Sequence, residues 1–561
     1  MKRIYPRINL EGTDLLKRVG TIYSQILGDL LMKVDDGEGE YPKGFFHTST
    51  NREMTPNYYH AMWSRDVGRG IMELCRAGLL EDAESAVAFI MGHGFDCGDH
   101  YGRVLCNIHG DDAPPAVYEA DGNVNLLMGF YTYWWFSGKQ QTVARRLLTY
   151  TDPVFGWFER TGEECPYGFL LASQSELSGN PDCSTLIYAV YATYGAVGCL
   201  HAYARMATEC GDSERAERYS ALAEKFTQSL LNDLVSRGGE SDQETKTPSG
   251  VWLNGLRAED GKAAEIGDFG PKFPIYRWTR QIPFVLDFDR NQTGAEDEAS
   301  QTVNGASYEY IRDGMAEGYY FRKYGFVSCT CFSGMGGRHD DTMAGYGQNL
   351  FTQAALLQDD VNVYTKCIDG ICRLAYDGDV VKPLTPDFNP WVMHECFTYE
   401  NYEQGLDHTF GRVGDDSRMI MHNPGDEGNL VQSAETLKTF AIMAGVTSNG
   451  NRLCVSPRLP WECTKAQMVD FPVVTADGTV ARISYTFTAN RWKNEYIIEI
   501  VGVENFDEIE VRMGPLPRVL FNETELQKEW QITRHYQASF ATRTMKTNGA
   551  TTVTLTLINE R

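Results

Sequence analysis

The sequence predicts a mainly α-helical toroid of αα-hairpins followed by a small antiparallel β-domain. Three observations predict it. A helical period dominates from about residue 12 to 460, long segments rich in Gly, Pro, Trp and acidic residues alternate with tight hairpin turns, and the pattern switches to period-two alternation after about residue 465. The chain has 561 residues, whereas ordinary single cores stop growing at roughly 250–300 residues. A toroid escapes that limit by wrapping one long core around an axis.

The helical elements follow in order. Apolar periodicity predicts helices near 13–33, 65–77, 81–92, 121–137 and 139–149. Ile187, Tyr191, Tyr194 and Val197 share one face of a helix that begins near Ser184 and ends at Gly211. Asp212 or Ser213 caps the next helix, with Glu214 in its first turn and Tyr219, Leu222, Phe226 and Leu230 as its apolar stripe. Further helices are expected near 300–322, 341–357, 360–376 and 428–446. The long intervening segments are 41–64, 93–120, 152–183, 236–299, 325–340 and 377–427. Segments of that length inside a compact domain are usually functional. At alternate positions in a toroid of hairpins they gather at one end, which is where the site is expected.

Ile483, Tyr485 and Phe487 alternate, as do Tyr496, Ile498 and Ile500, and Val553, Leu555 and Leu557. The stretch Arg458-Leu459-Pro460 marks the change of pattern. The expected division is therefore a helical domain over 1–464 and a sandwich-like β-domain over 465–561.

Composition narrows the function classes. The chain is 42% hydrophobic and 23% charged, with a net charge of −25. Such an acidic surface repels nucleic acid and anionic membranes, and favours a neutral or cationic ligand over a polyanionic one. The first residues, Met1-Lys2-Arg3-Ile4-Tyr5-Pro6-Arg7, lack the apolar stretch of a signal peptide, and no run of about 18 apolar residues exists. The expectation is a soluble cytoplasmic protein of undetermined oligomeric state. Its 14 Cys are scattered, with Cys329 and Cys331 one residue apart and no pair of zinc-knuckle spacings. They read as reduced thiols, and no metal or cofactor is expected. No P-loop, no Gly-x-Gly-x-x-Gly after a strand and no His-Glu-x-x-His occurs.

Three local motifs carry a family resemblance. Ala61-Met62-Trp63-Ser64-Arg65-Asp66 opens a helix and resembles the Trp-x-Arg-Asp segment of exo-α-1,6-mannosidases (glycoside hydrolase family 125) and of glucoamylase-like enzymes. Trp391-Val392-Met393-His394-Glu395-Cys396-Phe397 resembles the Met-His-Glu-Ser-Phe segment of the same mannosidases, with Cys396 where that family has Ser. Gly425-Asp426-Glu427-Gly428-Asn429-Leu430-Val431-Gln432, followed by a helix and Leu459-Pro460, is similar to the closing helix and β-linker of the wider clan. Together they resemble the six-hairpin, (α/α)6-barrel glycoside hydrolases over nearly the whole chain. The mannosidase acid sits in a Glu-Leu-Asp-Ser context; here Ser175-Glu176-Leu177-Ser178 lacks the Asp. The resemblance thus implies the clan, with mannosidase activity as one option within it.

It implies a carbohydrate substrate and two catalytic carboxyls. One must be protonated to donate to the leaving oxygen. The other must be ionised, and in an inverting enzyme lies about 6.5–9.5 Å away across a water. Glu176 is the candidate general acid; the polar stretch around it is flanked by apolar Phe169-Leu170-Leu171, whose burial would raise the carboxyl's pKa. Asp182 is its rival, with helix capping as its plain alternative. Glu395 is the candidate base, in a neighbourhood of Trp391, His394 and Phe397; an ion pair with Arg412 or Arg418 is its structural alternative. Glu427 is the alternative base, or an acid complementing a helix dipole.

Asp66, Arg65 and Trp63 are expected to line the subsite of the non-reducing sugar, since a carboxylate accepts from vicinal hydroxyls and an indole stacks on the sugar's C–H face. Asp121 opens another helix and either binds sugar or caps. Gln348 follows the Arg338-His339-Asp340-Asp341 cluster as a further sugar contact; that cluster either holds a sugar or a calcium ion, or caps a helix. Tyr133, Trp134 and Trp135 lie inside a helix and read as core. The function expected from this is an exo-acting, inverting glycosidase. The alternative is a carbohydrate-binding protein, or a phosphorylase or isomerase relative, on the same fold.

Overall fold

A computed structural model describes residues 3–49, 61–93, 95, 101–104, 107–108, 120–173, 186–238, 248–263, 298–316, 319–327, 342–375, 381–382, 396–399, 419–421 and 429–560. Strand β1 (Arg7–Glu11) is followed by helix α1 (Asp14–Met32), whose N-cap Thr13 accepts from the backbone N–H of Leu16 at 3.3 Å. Then come β2 (Met62–Trp63), α2 (Ser64–Arg76), α3 (Leu80–Met91), β3 (Asn107–Ile108), α4 (Ala120–Phe136) and α5 (Gln141–Glu164). Strands β4 (Ala172–Ser173) and β5 (Ile187–Ala189) precede α6 (Val190–Glu209) and α7 (Ser213–Asp233). Strand β6 (Gly255–Arg257), helices α8 (Glu298–Ala316) and α9 (Tyr319–Tyr324), strand β7 (Thr342–Ala344), and helices α10 (Gly345–Leu357) and α11 (Val361–Ala375) come next. Strands β8 (Val381–Lys382), β9 (Cys396–Tyr399) and β10 (Met419–Met421) lead to α12 (Leu430–Ala444).

These helices are of two kinds. Helices α2, α4, α6, α10 and α12 are buried along nearly their whole described length, and form an inner ring in which α12 packs on α2, α2 on α4, α4 on α6, and α10 on α12. Helices α1, α3, α5, α7 and α11 each bury one stripe and expose the other, as an outer layer must. The tightest inner contact is between α2 and α4. A Cβ on Gly68 would come within 2.3 Å of the Asn125 backbone, and one on Gly129 within 2.7 Å of the Gly68 carbonyl. Both positions need the absence of a side chain for the helices to cross so closely.

The β-layer consists of β11 (Val446–Asn449), β12 (Arg452–Val455), β13 (Lys465–Val474), β14 (Val480–Asn490), β15 (Glu495–Val501), β16 (Glu508–Pro517), the short helix α13 (Glu523–Leu526), β17 (Gln531–His535), β18 (Ala538–Lys546) and β19 (Thr552–Ile558). Two five-stranded sheets form, in the orders β1-β13-β14-β15-β19 and β11-β12-β16-β18-β17. The alternation expected from sequence is observed: Tyr485 faces Ile500 and Phe487 faces Ile498 across β14 and β15, and all are buried.

The β-layer caps one end of the toroid. The Tyr485 hydroxyl donates to the Ala444 carbonyl at the end of α12 (2.9 Å), and the Tyr364 hydroxyl to that of Leu459 (3.0 Å). Asp359, in the turn between α10 and α11, takes two bonds from the Arg512 guanidinium (2.9 and 2.5 Å), which lies 3.7 Å from the Phe540 ring centroid. The C-terminal ends of the inner helices thus face the β-layer, and their N-terminal ends form the opposite, open face.

Three expectations change. Strand β1 pairs with β13, and β11 and β12 join the second sheet, so the sheets draw on chain well before residue 465. Helix α5 runs through Pro153 to Glu164, where a long segment was expected from 152; burial of Phe155, Trp157 and Phe158 outweighs the hydrogen bond that the proline removes. The helix expected from near Ser184 starts at Val190, because 187–189 form a strand.

A pH-sensitive position lies on α11. Burial, and then the neighbouring Glu462 carboxylate, push the Asp369 carboxyl up to about 6 against an ordinary 3.8. A carboxyl raised on folding leaves stability intact below about pH 4. Stability is then lost as the pH climbs through about 6, because the unfolded chain ionises first. Asp369→Asn should therefore raise stability by about 1–2 kcal/mol at pH 8, allowing for solvent screening, and change little at pH 4. Urea unfolding at the two pH values measures it, and equal effects at both would contradict the assignment.

Candidate active site

The open face is built from the first turns of the inner helices. Arg69 lies in the second turn of α2, Asn125 in the second turn of α4, Glu435 in the second turn of α12 and Tyr191 in the first turn of α6. All four side chains meet. Arg69 Nε donates to Asn125 Oδ1 (3.1 Å), Nη1 to Glu435 Oε1 (2.5 Å) and Nη2 to the Tyr191 hydroxyl (2.9 Å), which also accepts from Asn125 Nδ2 (2.8 Å). Gln353 of α10 donates to Glu435 Oε2 (2.7 Å). The inner helices therefore run in parallel, and their N-termini lie on one side of the ring.

The long segments lead to this side: the chain before α2, α4, α6, α10 and α12 is in each case one of them. Small strand pairs fasten their ends. Trp63 pairs with Asn107 beside α2. Ser173 pairs with Ile187, at the start of α6. Cys396 pairs with Ala344, the last residue before α10. Converging helix N-termini give this face a positive backbone potential, which holds carboxylates ionised. A carboxyl that must stay protonated here needs burial or a like-charged neighbour to oppose that field.

Asp66 sits in the first turn of α2 with its side chain 5% exposed, and Arg65 Nε lies 3.3 Å from its Oδ1. Trp63 is the half-buried residue just before the helix. Helix α4 starts against the same place, since a Cβ on Gly122 would lie 3.4 Å from Ser64 Cβ and 3.9 Å from Arg65 N. Asp121 is thus a backbone neighbour of the Trp63–Asp66 turn. Glu176, Asp182, Trp391, His394, Glu395 and Glu427, and the cluster 338–341, lie outside the described residues.

Gln348 is corrected. It is fully buried, and its amide accepts from Val327 N (2.8 Å) and donates to the carbonyls of Gly325 (3.0 Å) and Cys367 (3.1 Å). Those bonds fix the 325–327 turn against α11, so its polar atoms are committed to backbone rather than turned to a ligand. Tyr133, Trp134 and Trp135 are core, with Lys139 and Arg205 over the Trp135 ring at 4.3 and 4.4 Å. Among the described residues no group of three or more His, Cys, Asp or Glu is arranged to hold a metal ion. Burial pushes the thiols of Cys454 and Cys463 up, to about 11 and about 12, so they remain protonated. Among the described residues no helix is long and apolar enough to cross a membrane.

The buried Arg69 centre was not expected from sequence. Its signal was there: Asp66, Arg69, Glu73 and Arg76 recur at helical spacing along α2. Such a charged stripe ordinarily reads as a solvated face. Here it is buried within the toroid. Burial disfavours the charge on Arg69, but Glu435 and Tyr191 outweigh it and hold the guanidinium above its ordinary pKa.

The architecture is that of the helical-toroid glycosidases with an attached β-layer. No family model matches the sequence, and no curated protein matches it. Solved structures share the fold. A GH78 family rhamnosidase of Bacillus sp. GL1 superposes with a TM-score of 0.53 at 12% identity, over 87% of this chain and 41% of that one. An α-L-rhamnosidase from Dictyoglumus thermophilum gives 0.51 at 10% identity, over 99% of this chain and 50% of that one. The chain spans about two-fifths to a half of the length of these two structures.

Proposed function

We propose that the protein is an exo-acting, inverting glycoside hydrolase. Glu176 is its general acid and Glu395 its general base, and Asp66, Arg65 and Trp63, with Asp121, hold the non-reducing sugar. Trp391 and His394 flank the base. Asp182 and Glu427 are the alternative carboxyls. No cofactor takes part: water attacks the anomeric carbon, Glu395 takes its proton, and Glu176 gives one to the leaving oxygen.

What supports this reading is where described residues next to the proposed site residues stand. The Trp63–Asp66 turn opens α2, Ser173 is fastened at the start of α6 three residues before Glu176, and Cys396, the neighbour of Glu395, pairs beside the start of α10. Residues from three distant parts of the chain thus flank one open end of the ring. The fold shared with rhamnosidases is in keeping with this, and makes an α-linked hexose or 6-deoxyhexose glycoside the first substrate to try.

Turnover of a panel of 4-nitrophenyl glycosides, among them the α-L-rhamnoside, α-D-glucoside and α-D-mannoside, tests the class. Hydrolysis independent of phosphate supports it. Turnover only with phosphate would make the protein a phosphorylase, and sugar binding with no turnover a lectin-like relative. Asp66→Asn should keep the fold and lower kcat/KM by about 10²-fold, because an amide cannot accept from two sugar hydroxyls as a carboxylate does. Steady-state kinetics of the folded variant measures this, and a change of less than twofold would remove Asp66 from the sugar subsite.

A further inference from the structure

The centre of the inner ring holds a cation where helical toroids need only apolar packing. Arg69 uses three of its nitrogens on three different helices, with bonds to Asn125 of α4, Glu435 of α12 and Tyr191 of α6. Glu435 carries the connection on to Gln353 of α10. Arg69, Asn125, Tyr191, Gln353 and Glu435 are all buried, and Arg69 is 2% exposed. Arg69 therefore ties together the first two turns of α2, α4, α6 and α12, and reaches the third turn of α10 through Glu435.

A buried ion pair of this kind is poor evidence for stability, since well-packed apolar side chains of the same volume often do as well or better. What it supplies is geometry. A guanidinium is a rigid planar fork with fixed bond directions, whereas apolar contacts tolerate sliding. The partners are also saturated in a fixed sense. The Tyr191 oxygen accepts twice, from Arg69 and Asn125, so its own O–H is left only to donate. Asp66 lies one turn above Arg69 on the same face of α2.

We propose that Arg69 is a positioning residue for the active site, acting through Glu435, Asn125 and Tyr191 to fix the first turns of the inner helices relative to one another. It does not touch the sugar. It sets where Asp66 on α2, Asp121 on α4 and the chain leading into α6, α10 and α12 stand. This rests on the glycosidase reading above, and deepens it by naming what holds that site in register.

The test needs a control that is equally buried and charged but lies outside the ring. The Asp29–Lys33 pair of α1 supplies it: both residues are buried, and Asp29 also accepts from Ser433 near the start of α12 (2.8 Å), from the outer side. Arg69→Lys keeps the charge and loses the fork; Asp29→Asn weakens the control pair. Both are compared with the native protein by thermal unfolding, by kinetics on the best 4-nitrophenyl glycoside, and by calorimetric titration with the matching free monosaccharide. All are read at a temperature where each protein is folded. Arg69→Lys should lower kcat/KM by about 10–100-fold and weaken monosaccharide binding, as misplacement of about 1 Å does. Asp29→Asn should leave both within twofold even if it unfolds at as low a temperature. Should Arg69→Lys fail to fold, Tyr191→Phe, which keeps the ring and the ion pair, should still lower kcat/KM by about tenfold. Unchanged kinetics in the folded variant, or an equal loss in Asp29→Asn, would overturn the proposal and leave the glycosidase reading standing. A native protein that neither turns over any glycoside nor binds any of the sugars would overturn both.

Discussion

On a glycoside with a poor leaving group, Glu395→Gln and Glu176→Gln should each remove about 10²–10⁴-fold or more of kcat while leaving the protein folded. Glutamine fills the same space but neither takes up nor releases a proton at neutral pH, so the substitution removes the proton transfer and little else. The two losses should differ in kind. The general acid matters most when the leaving group is a poor one. Glu176→Gln should therefore be mild on a 4-nitrophenyl glycoside, whose leaving group needs little protonation, and severe on an alkyl glycoside or an oligosaccharide. The base acts on water whatever departs, so Glu395→Gln should be severe on both. Kinetics of each variant on a matched aryl and alkyl pair reads this out. Full activity in both variants would end the assignment of these two residues. The same loss pattern in Asp182→Asn or Glu427→Gln would move the acid or the base to that position.

Glu435→Ala should cost about 3–5 kcal/mol of stability, the largest structural effect expected from a single substitution in this chain. Arg69 would keep its charge while 2% exposed, with Asn125 and Tyr191 as its remaining hydrogen-bond partners. Gln353 would also lose one of its three acceptors, keeping the Glu435 carbonyl and the Thr439 hydroxyl. Removing both charges with Arg69→Met and Glu435→Leu should be far less damaging than either single change, because no uncompensated ion remains. Urea unfolding of the two single variants and the double variant checks it. A loss below about 1 kcal/mol in Glu435→Ala would mean that water or a rearranged side chain reaches the site.

Most of the helices were legible because each buries a stripe at helical period. The ends of α1, α2, α3, α10, α11 and α12 fall within a few residues of where apolar spacing and caps put them. Gly211, in the left-handed region at φ +75°, and Asp212, which caps α7 by accepting from Arg215 N at 3.2 Å, close and open neighbouring helices as expected. Pro153 misled, because its local penalty is plain in the sequence and the burial that outweighs it is not. The short strands at the open face were illegible, since pairs such as Met62–Trp63 with Asn107–Ile108 owe their pairing to where the helices place them. That the Trp63–Asp66 turn opens a helix was legible in the sequence. The Gln348 expectation was not met, because nothing local distinguishes an amide that meets a sugar from one that fastens a turn.

The sequence by itself determined the kinds of element, their order and the change from helical to strand period, because these follow from side-chain spacing against a backbone of fixed geometry. It also marked the residue types proposed to hold a sugar. Only the tertiary structure decided which faces of the helices turn inward, that β1 from the start of the chain completes a sheet near its end, and that a charged stripe on α2 is the buried axis of the ring. Those outcomes depend on contacts between residues hundreds of positions apart, as between Arg69 and Glu435, and no local pattern in either helix encodes the partner. The free energy of a buried charge is set by what surrounds it in space, so its meaning appears only once the helices are assembled.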